Sequence, residues 1–307
     1  MKDALVDLRA WRQFVAVAEE LHFGRAAARL HMTQPPVTQA IAQLEKTLDV
    51  RLFDRTQRRV ALTPAGEALL PDVRELLARA QALPRRARAA AAGEVGRVRL
   101  AFVSTIGFEK LPAWVRAFRA QCPQVALELV EATGDVQLEA LARGDIDAGL
   151  MLHSPGFAPV GLDGLSVSTE PMVLALPAQH RLATQRDPRL AQALAQPLVI
   201  FPRRIVPSLY DAVLELYRAE GMAPQVAQEA IQMQTIVNLV WGDIGIAWVP
   251  ESVMQYRRDG VIYRRAAELS GARTRVPSCE TSLVWSPGQM TPALARFVDF
   301  VRGRLGQ

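Results

Sequence analysis

Apolar residues in the first third of the chain recur with helical spacing. Phe14, Val17, Ala18 and Leu21 fall at intervals that put them on one helix face. A second short helix is expected from about Gly24 to Leu30, with Ala26, Ala27 and Leu30 inward, where small alanines permit close helix approach. The run Thr33-Gln34-Pro35-Pro36 opens a third helix. Thr33 suits the N-cap, and prolines are tolerated only in a first helical turn. Val37, Ile41, Leu44 and Leu48 make its buried face, and Gln34, Pro35, Thr38, Gln39 and Ala42 lie opposite.

The pattern then changes period. Leu52 and Phe53 are apolar, Asp54 to Arg59 are polar, and Val60, Ala61 and Leu62 return to β character. This predicts a β-hairpin wing with Arg55, Arg58 and Arg59 at its tip. A long segment rich in Ala, Leu and Arg follows, with Leu69, Val73, Leu76, Ala80, Leu83, Ala87 and Ala90 alternating steps of four and three. That is an a/d seam suited to a partner helix. About 29 residues of helix would reach roughly 43 Å, although Pro71 and Pro84 each remove a helix bond and favour a kink. Beyond Gly93 and Gly96, strands are predicted at 98–103, 126–130, 146–150, 172–176, 198–201, 226–228, 245–249 and 281–285, with helical patterns between them. Such alternation signals an α/β domain.

Composition narrows the classes. The chain has 307 residues, half of them apolar and 22% charged, enough for two compact units and against a disordered protein. Its two cysteines, Cys122 and Cys279, lack ligand spacing, so neither a disulfide scaffold nor a cysteine metal site is expected. The start has charges of both signs, and no stretch approaches the length of an apolar membrane span. A soluble cytoplasmic protein without membrane contact is expected. Residues 1–95 hold 15 Lys and Arg against 11 Asp and Glu, while residues 96–307 hold 21 against 20. The positive excess therefore sits beside the short helices, where an acidic polymer would be met.

Two short helices joined by a tight turn, the second with a polar uncharged face, fit a helix-turn-helix. Short or amide-bearing side chains there can lie flush in a major groove and bond base edges. Arginines on an adjacent loop suit phosphate or minor-groove contact. The pattern alone equally fits a small helical domain with an ordinary wet face. The run from Phe14 to Leu70, with AVAEELHFGRAA, TQPPVTQAI, LEKTLDVRLFDR and LTPAG, resembles the DNA-binding end of LysR-type transcriptional regulators. The resemblance implies an α+β multidomain chain. Residues 1–63 would be a winged helix-turn-helix and 64–93 a dimerising linker helix. Residues 94–307 would be a periplasmic-binding-protein-like α/β effector domain, with one subdomain at 96–167 plus 270–307 and another at 168–269. Double-stranded operator DNA, a second or further copies of the chain in a homodimer or homotetramer, and a small organic-anion effector are the implied partners. The DNA-contacting set would be Thr33, Gln34, Pro35, Pro36, Thr38, Gln39, Arg55, Arg58 and Arg59. After the proline pair the family usually has Ser then Arg; Thr38 keeps the hydroxyl, while Gln39 replaces a charge with an amide able to pair with adenine.

In open α/β sheets ligands sit at the carboxyl ends of strands. That rule points to Ser104 and Thr105 after the first strand, Thr133 after the second, and Pro202-Arg203-Arg204 after Phe201, where an arginine could hold a carboxylate bidentately. Helix capping and surface ion pairing are the structural alternatives for these residues. Val199-Ile200-Phe201-Pro202-Arg203, with HFGRAAARL, is similar to the branch sensing aromatic-catabolism intermediates. An aromatic-derived carboxylate is therefore expected at Ser104, Thr105, Thr133, Pro202 and Arg203, with Met233-Gln234-Thr235 a further candidate. Trp241-Gly242-Asp243 stands where relatives usually carry a small residue, and it would either reshape the pocket or pack.

An enzyme is the main alternative class. His22, His31, His153 and His180 lie in different elements, and no Walker A, G-x-G-x-x-G or HExxH run occurs. No catalytic residue, metal or cofactor is expected, and His22 reads as structural. A free-standing solute-binding protein is opposed by the basic helix-turn-helix.

Overall fold

The computed structural model describes residues 6–55, 59–108, 110–271 and 275–305. The chain forms two compact units, Met1–Arg88 and Ala89–Gln307.

The first unit contains α1 (Leu8–Glu20), α2 (Phe23–Arg29), α3 (Gln34–Leu48), β1 (Phe53–Arg55), β2 (Val60–Leu62) and most of α4 (Pro64–Ala91). Phe14, Val17, Ala26, Val37, Ile41, Leu44 and Phe53 make its interior. Leu21, expected on the buried face of α1, instead caps that helix in a left-handed conformation and is exposed. The next residue starts α2: His22 Nδ1 accepts the backbone N–H of Gly24 and Arg25 at 3.0 and 3.1 Å. Thr33 occupies the N-cap of α3 with the prolines in the first turn, although its hydroxyl makes no cap bond. Strands β1 and β2 pair antiparallel, with Arg55 opposite Val60.

Thr63 ties the wing to α4. Its hydroxyl donates to Arg51 O at 2.7 Å and accepts from Gly66 N at 3.1 Å. A Cβ on Gly66 would lie 2.3 Å from Leu52 O, so the helix can approach the wing only with glycine there. Helix α4 runs through both Pro71 and Pro84 without ending. The expected seam divides along it. Leu69 and Val73 pack into the first unit's own interior, whereas Leu76 and Leu83 stay exposed.

The second unit contains β3 (Gly96–Phe102), α5 (Ser104–Gly107), α6 (Lys110–Gln121), β4 (Val125–Glu131), α7 (Gly134–Arg143), β5 (Ala148–His153) and β6 (Asp163–Pro177). It continues through α8 (Arg181–Thr184), α9 (Leu190–Leu194), β7 (Leu198–Ile200), α10 (Pro207–Ala219), β8 (Val226–Glu229) and α11 (Met233–Trp241). It closes with β9 (Ala247–Pro250), β10 (Val261–Arg264), β11 (Ser278–Trp285) and α12 (Pro292–Leu305). Among the described residues the large sheet has the order β10-β6-β11-β5-β3-β4, with β9 also on β6. β3 runs parallel to β4 and β5, while β11 lies antiparallel between β5 and β6.

The interior of this unit is divided. One apolar cluster gathers Val98, Leu100, Trp114, Phe118, Leu150 and Phe297. Another gathers Val173, Leu198, Phe201, Leu209, Tyr217, Ile236 and Trp248. Strands β6 and β11 serve both: β6 gives Val167 to the first and Met172 to Leu176 to the second, and β11 gives Leu283 and Cys279 respectively. Two strands crossing between two lobes leave a cleft flanking the crossing. Among the described residues, no helix is long and apolar enough to span a membrane, and no group of three or more His, Cys, Asp or Glu could hold a metal ion.

Candidate functional site

In the first unit, burial of Val37, Ile41 and Leu44 forces the opposite face of α3 into solvent. Gln34, Pro35, Pro36, Gln39 and Ala42 are exposed there, as is Thr33 before them. Thr38 is half-buried, and its hydroxyl donates to Gln34 O at 3.1 Å. In that rotamer the oxygen is left as an acceptor. The expected arginine tip needs one correction. Arg55 is a strand residue, bonded to Glu45 at 2.8 Å and lying 4.8 Å over the Phe23 ring. It joins the wing to its own domain. Arg59 is exposed just before β2. Arg58 lies outside the described residues.

In the second unit, Ser104, Thr105 and Thr133 do come together. They line a cavity of about 30 Å³ with Glu131, Gln232, Phe201, Ile205, Val206, Ile231 and Met233. That space holds about one water molecule. Its apolar wall belongs to the second cluster, while Ser104, Thr105 and Thr133 follow β3 and β4, whose buried residues make the first, so the cavity sits where the two lobes meet. Ile205, Ile231 and Gln232 were not singled out in the sequence, because they follow β7 and β8 at loop positions with no motif. Met233 lines the cavity, whereas Gln234 faces a different groove beside α6.

Pro202 and Arg203 do not line this cavity. Arg203 makes a bidentate pair with Asp211 on α10, at 2.8 and 2.7 Å, which holds its guanidinium outside. The neighbouring Arg204 reaches Asp135 at 2.9 Å, and the Thr133 hydroxyl also bonds Asp135. Burial works to raise the Asp135 carboxyl, but the bonds from Thr133, Val136 N and Arg204 outweigh it and leave the group below its ordinary value. Among the described residues, no cationic side chain lines the cavity. Trp241 is also away from it. Its ring stacks under Arg258 at 4.4 Å and abuts Gly260, where a Cβ would meet it at 2.8 Å.

An exposed polar helix face beside a wing, and a separate two-lobed unit with a cleft, are the two halves of a ligand-responsive DNA binder. Residues 8–67 match the family described as bacterial regulatory helix-turn-helix protein, lysR family. Residues 91–306 match the LysR substrate binding domain. The chain belongs to the LysR family. The transcriptional regulator IlvR of Caulobacter vibrioides is 41% identical, with 96% of this chain and 97% of that protein aligned. The regulator TfdS of Cupriavidus pinatubonensis is 35% identical over 98% of this chain and 100% of its own length. A crystal structure of full-length CbnR with target DNA superposes with a TM-score of 0.81, at 32% identity, covering 98% of this chain and 100% of that one. This LysR-type protein is thus a DNA-binding transcriptional regulator with an effector-binding domain, from a family of regulators rather than enzymes.

Proposed function

We propose that this LysR-type regulator works in the cytoplasm as a homodimer or homotetramer, and that a small organic anion, an aromatic-derived carboxylate, is its effector. In this reading residues 1–63 read the operator, 64–93 pair with another copy, and 94–307 take the effector. The observation that carries the effector assignment is the mixed wall of the lobe-boundary cavity. Ser104 and Thr105 offer hydroxyls at one side, beside Thr133, whose hydroxyl would have to turn from Asp135 to join them, and Phe201, Ile205, Val206 and Met233 offer an apolar surface for a ring. Without a cation in the wall, a carboxylate would be held by hydroxyl and backbone donors, with its body desolvated against Phe201.

The cavity is too small for such a molecule as it stands, so binding requires the lobes to part and close again around the ligand. A ligand that contacts both lobes favours the conformation in which both contacts are made. Moving a population from mostly one state to mostly the other needs about 5.5 kcal/mol of differential affinity. One charge-assisted hydrogen bond supplies about 1.5–3 kcal/mol, so several contacts must converge.

Thermal-shift screening against aromatic acids and dicarboxylates identifies the effector, because a ligand that binds the native state raises the midpoint. Calorimetric titration of that effector then compares the natural protein with Ser104→Ala. The expected result is a weaker effector affinity with operator binding retained in the absence of effector. Unchanged affinity would remove Ser104 from the site, and a screen without any aromatic hit would overturn the effector class.

A further inference from the structure

Two neighbouring arginines follow β7, and they are fastened differently. Arg203 pairs with Asp211 on α10, inside its own lobe. Arg204 pairs with Asp135 on α7. Helix α7 belongs to the other lobe, where its Leu141 packs with Ala101 of β3 and Met151 of β5. The Asp135–Arg204 pair therefore spans the cleft.

The Asp135 carboxylate is oriented for this role. Its Oδ1 accepts from the Thr133 hydroxyl and from Val136 N, the latter at 3.0 Å, which fixes it to its own lobe. Its Oδ2 accepts from Arg204 at 2.9 Å. Beside this pair the lobes touch directly. A Cβ on Gly134 would lie 2.9 Å from Ile205 O, so the backbones come this close only because residue 134 has no side chain. On the same side the backbone N–H of Ser154, just past β5, donates to Ser208 Oγ on α10 at 3.1 Å. Contacts of the protein's own thus hold this edge of the cleft together, and Asp135–Arg204 is the charged one among them.

We propose that Asp135 and Arg204 form a latch that holds the cleft shut in the absence of effector, and that Asp135 is the acceptor an effector must displace from Thr133. A threonine hydroxyl has one proton to donate. Thr133 therefore serves Asp135 or a ligand, not both. A ligand that takes this hydroxyl strips the carboxylate of one anchor and loosens its hold on Arg204 in the same step. Release by ligand rests on the cleft being the effector site; the latch itself does not. Breaking the latch by substitution raises the share of molecules able to admit a ligand, and apparent affinity rises by the same factor.

The test is hydrogen–deuterium exchange on the full-length protein with no ligand added, read at the Ser154 amide. Its hydrogen bond crosses from one lobe to the other, so its exchange follows the population in which they part. Arg204→Gln and Asp135→Asn are each expected to speed that exchange about three- to fivefold, the scale of a partly exposed ion pair. The double variant is expected to exchange no faster than the faster single one, because both act through one contact. Arg203→Gln, whose partner lies in its own lobe, is expected to leave Ser154 unchanged. Exchange within α7 reports whether Asp135→Asn leaves that helix intact; if it does not, Arg204→Gln decides alone. Unchanged Ser154 exchange in Arg204→Gln overturns the latch, and so does equal acceleration in Arg203→Gln. Faster exchange in Arg204→Gln alone of the two arginine variants supports the latch even where a screen of aromatic acids finds no ligand, a result that would overturn the effector class and not the latch.

Discussion

The carboxylate of Glu45 and the guanidinium of Arg55 meet at 2.8 Å, fastening the third helix to the first strand of the wing. The other Glu45 oxygen accepts the backbone N–H groups of Leu52 and Phe53 at 2.8 and 3.1 Å. One side chain thus sets the wing's position relative to the helix whose outer face is proposed to read the operator. Glu45→Gln retains an acceptor oxygen but removes the charge. It is expected to cost about 0.5–1.5 kcal/mol of stability and to weaken operator binding, measured by urea unfolding and gel shift. Unchanged stability and affinity would show that the wing holds its place without the pair.

Gln39 and Arg59 are exposed on the same unit but differ in chemistry. An amide can pair bidentately with adenine, whereas an arginine beside a wing meets phosphate. Gln39→Ala is expected to cost about 1–3 kcal/mol at the preferred operator and to relax one base position. Arg59→Ala should weaken all sequences alike and lower the salt slope by about one. Operator and random-sequence titrations at several salt concentrations separate the two. Equal loss on all sequences for Gln39→Ala would remove it from base reading.

Leu76 and Leu83 are 43% and 60% exposed on α4, in line with each other along the expected seam. Burying a leucine side chain contributes about 1.5–3 kcal/mol, and a second copy of the helix would bury both. Leu83→Lys is expected to shift the protein toward smaller species in light scattering while leaving its helical signal intact. An unchanged mass would place the oligomer contact elsewhere.

Glu19 lies between Arg74 and Arg29, with Arg74 at 2.8 Å and Arg29 at 2.7 Å. The hydrogen bond from Arg74 is the main cause holding its carboxyl below the ordinary 4.5, against some burial. The folded state therefore releases this proton more readily than the unfolded chain. The resulting stability is present above the unfolded value and is lost as pH falls through the lower folded one. Glu19→Gln should therefore destabilise the first unit at neutral pH and lose little further stability on acidification from this site. Urea midpoints at about pH 7 and about pH 3 for both proteins check this. An equal acid loss in both would show that Glu19 does not contribute.

Helices with a single buried face were legible from periodicity, as Val37, Ile41 and Leu44 show. The strand at Met172 to Leu176 was legible because it is buried on both faces, but the polar first half of β6, from Asp163 to Pro171, was not. That half is held in place by pairing with β11, more than a hundred residues later in the chain, and its own composition reads as loop. Strand β10 was missed for the related reason that VIYR is short and only half-buried. At the cleft, loop position after a strand was enough to bring Ser104 and Thr133 together. The arginines after Phe201 were not readable, because their direction is fixed by Asp211 and Asp135, one eight residues ahead and the other 69 behind. Local sequence carries no signal of such partners.

The two crossing strands bear on how this gene can be cut and joined. β6 and β11 each supply interior residues to both lobes, and β11 comes near the end of the chain. A fragment stopping before Ser278 keeps all of the second lobe's helices yet loses Cys279 from its core, and it strips Leu283 and Trp285 from the first lobe. Neither lobe is therefore a portable module. A chimaera that exchanges one lobe between regulators must carry its junctions within both strands, whereas exchange of the whole second unit leaves each strand intact.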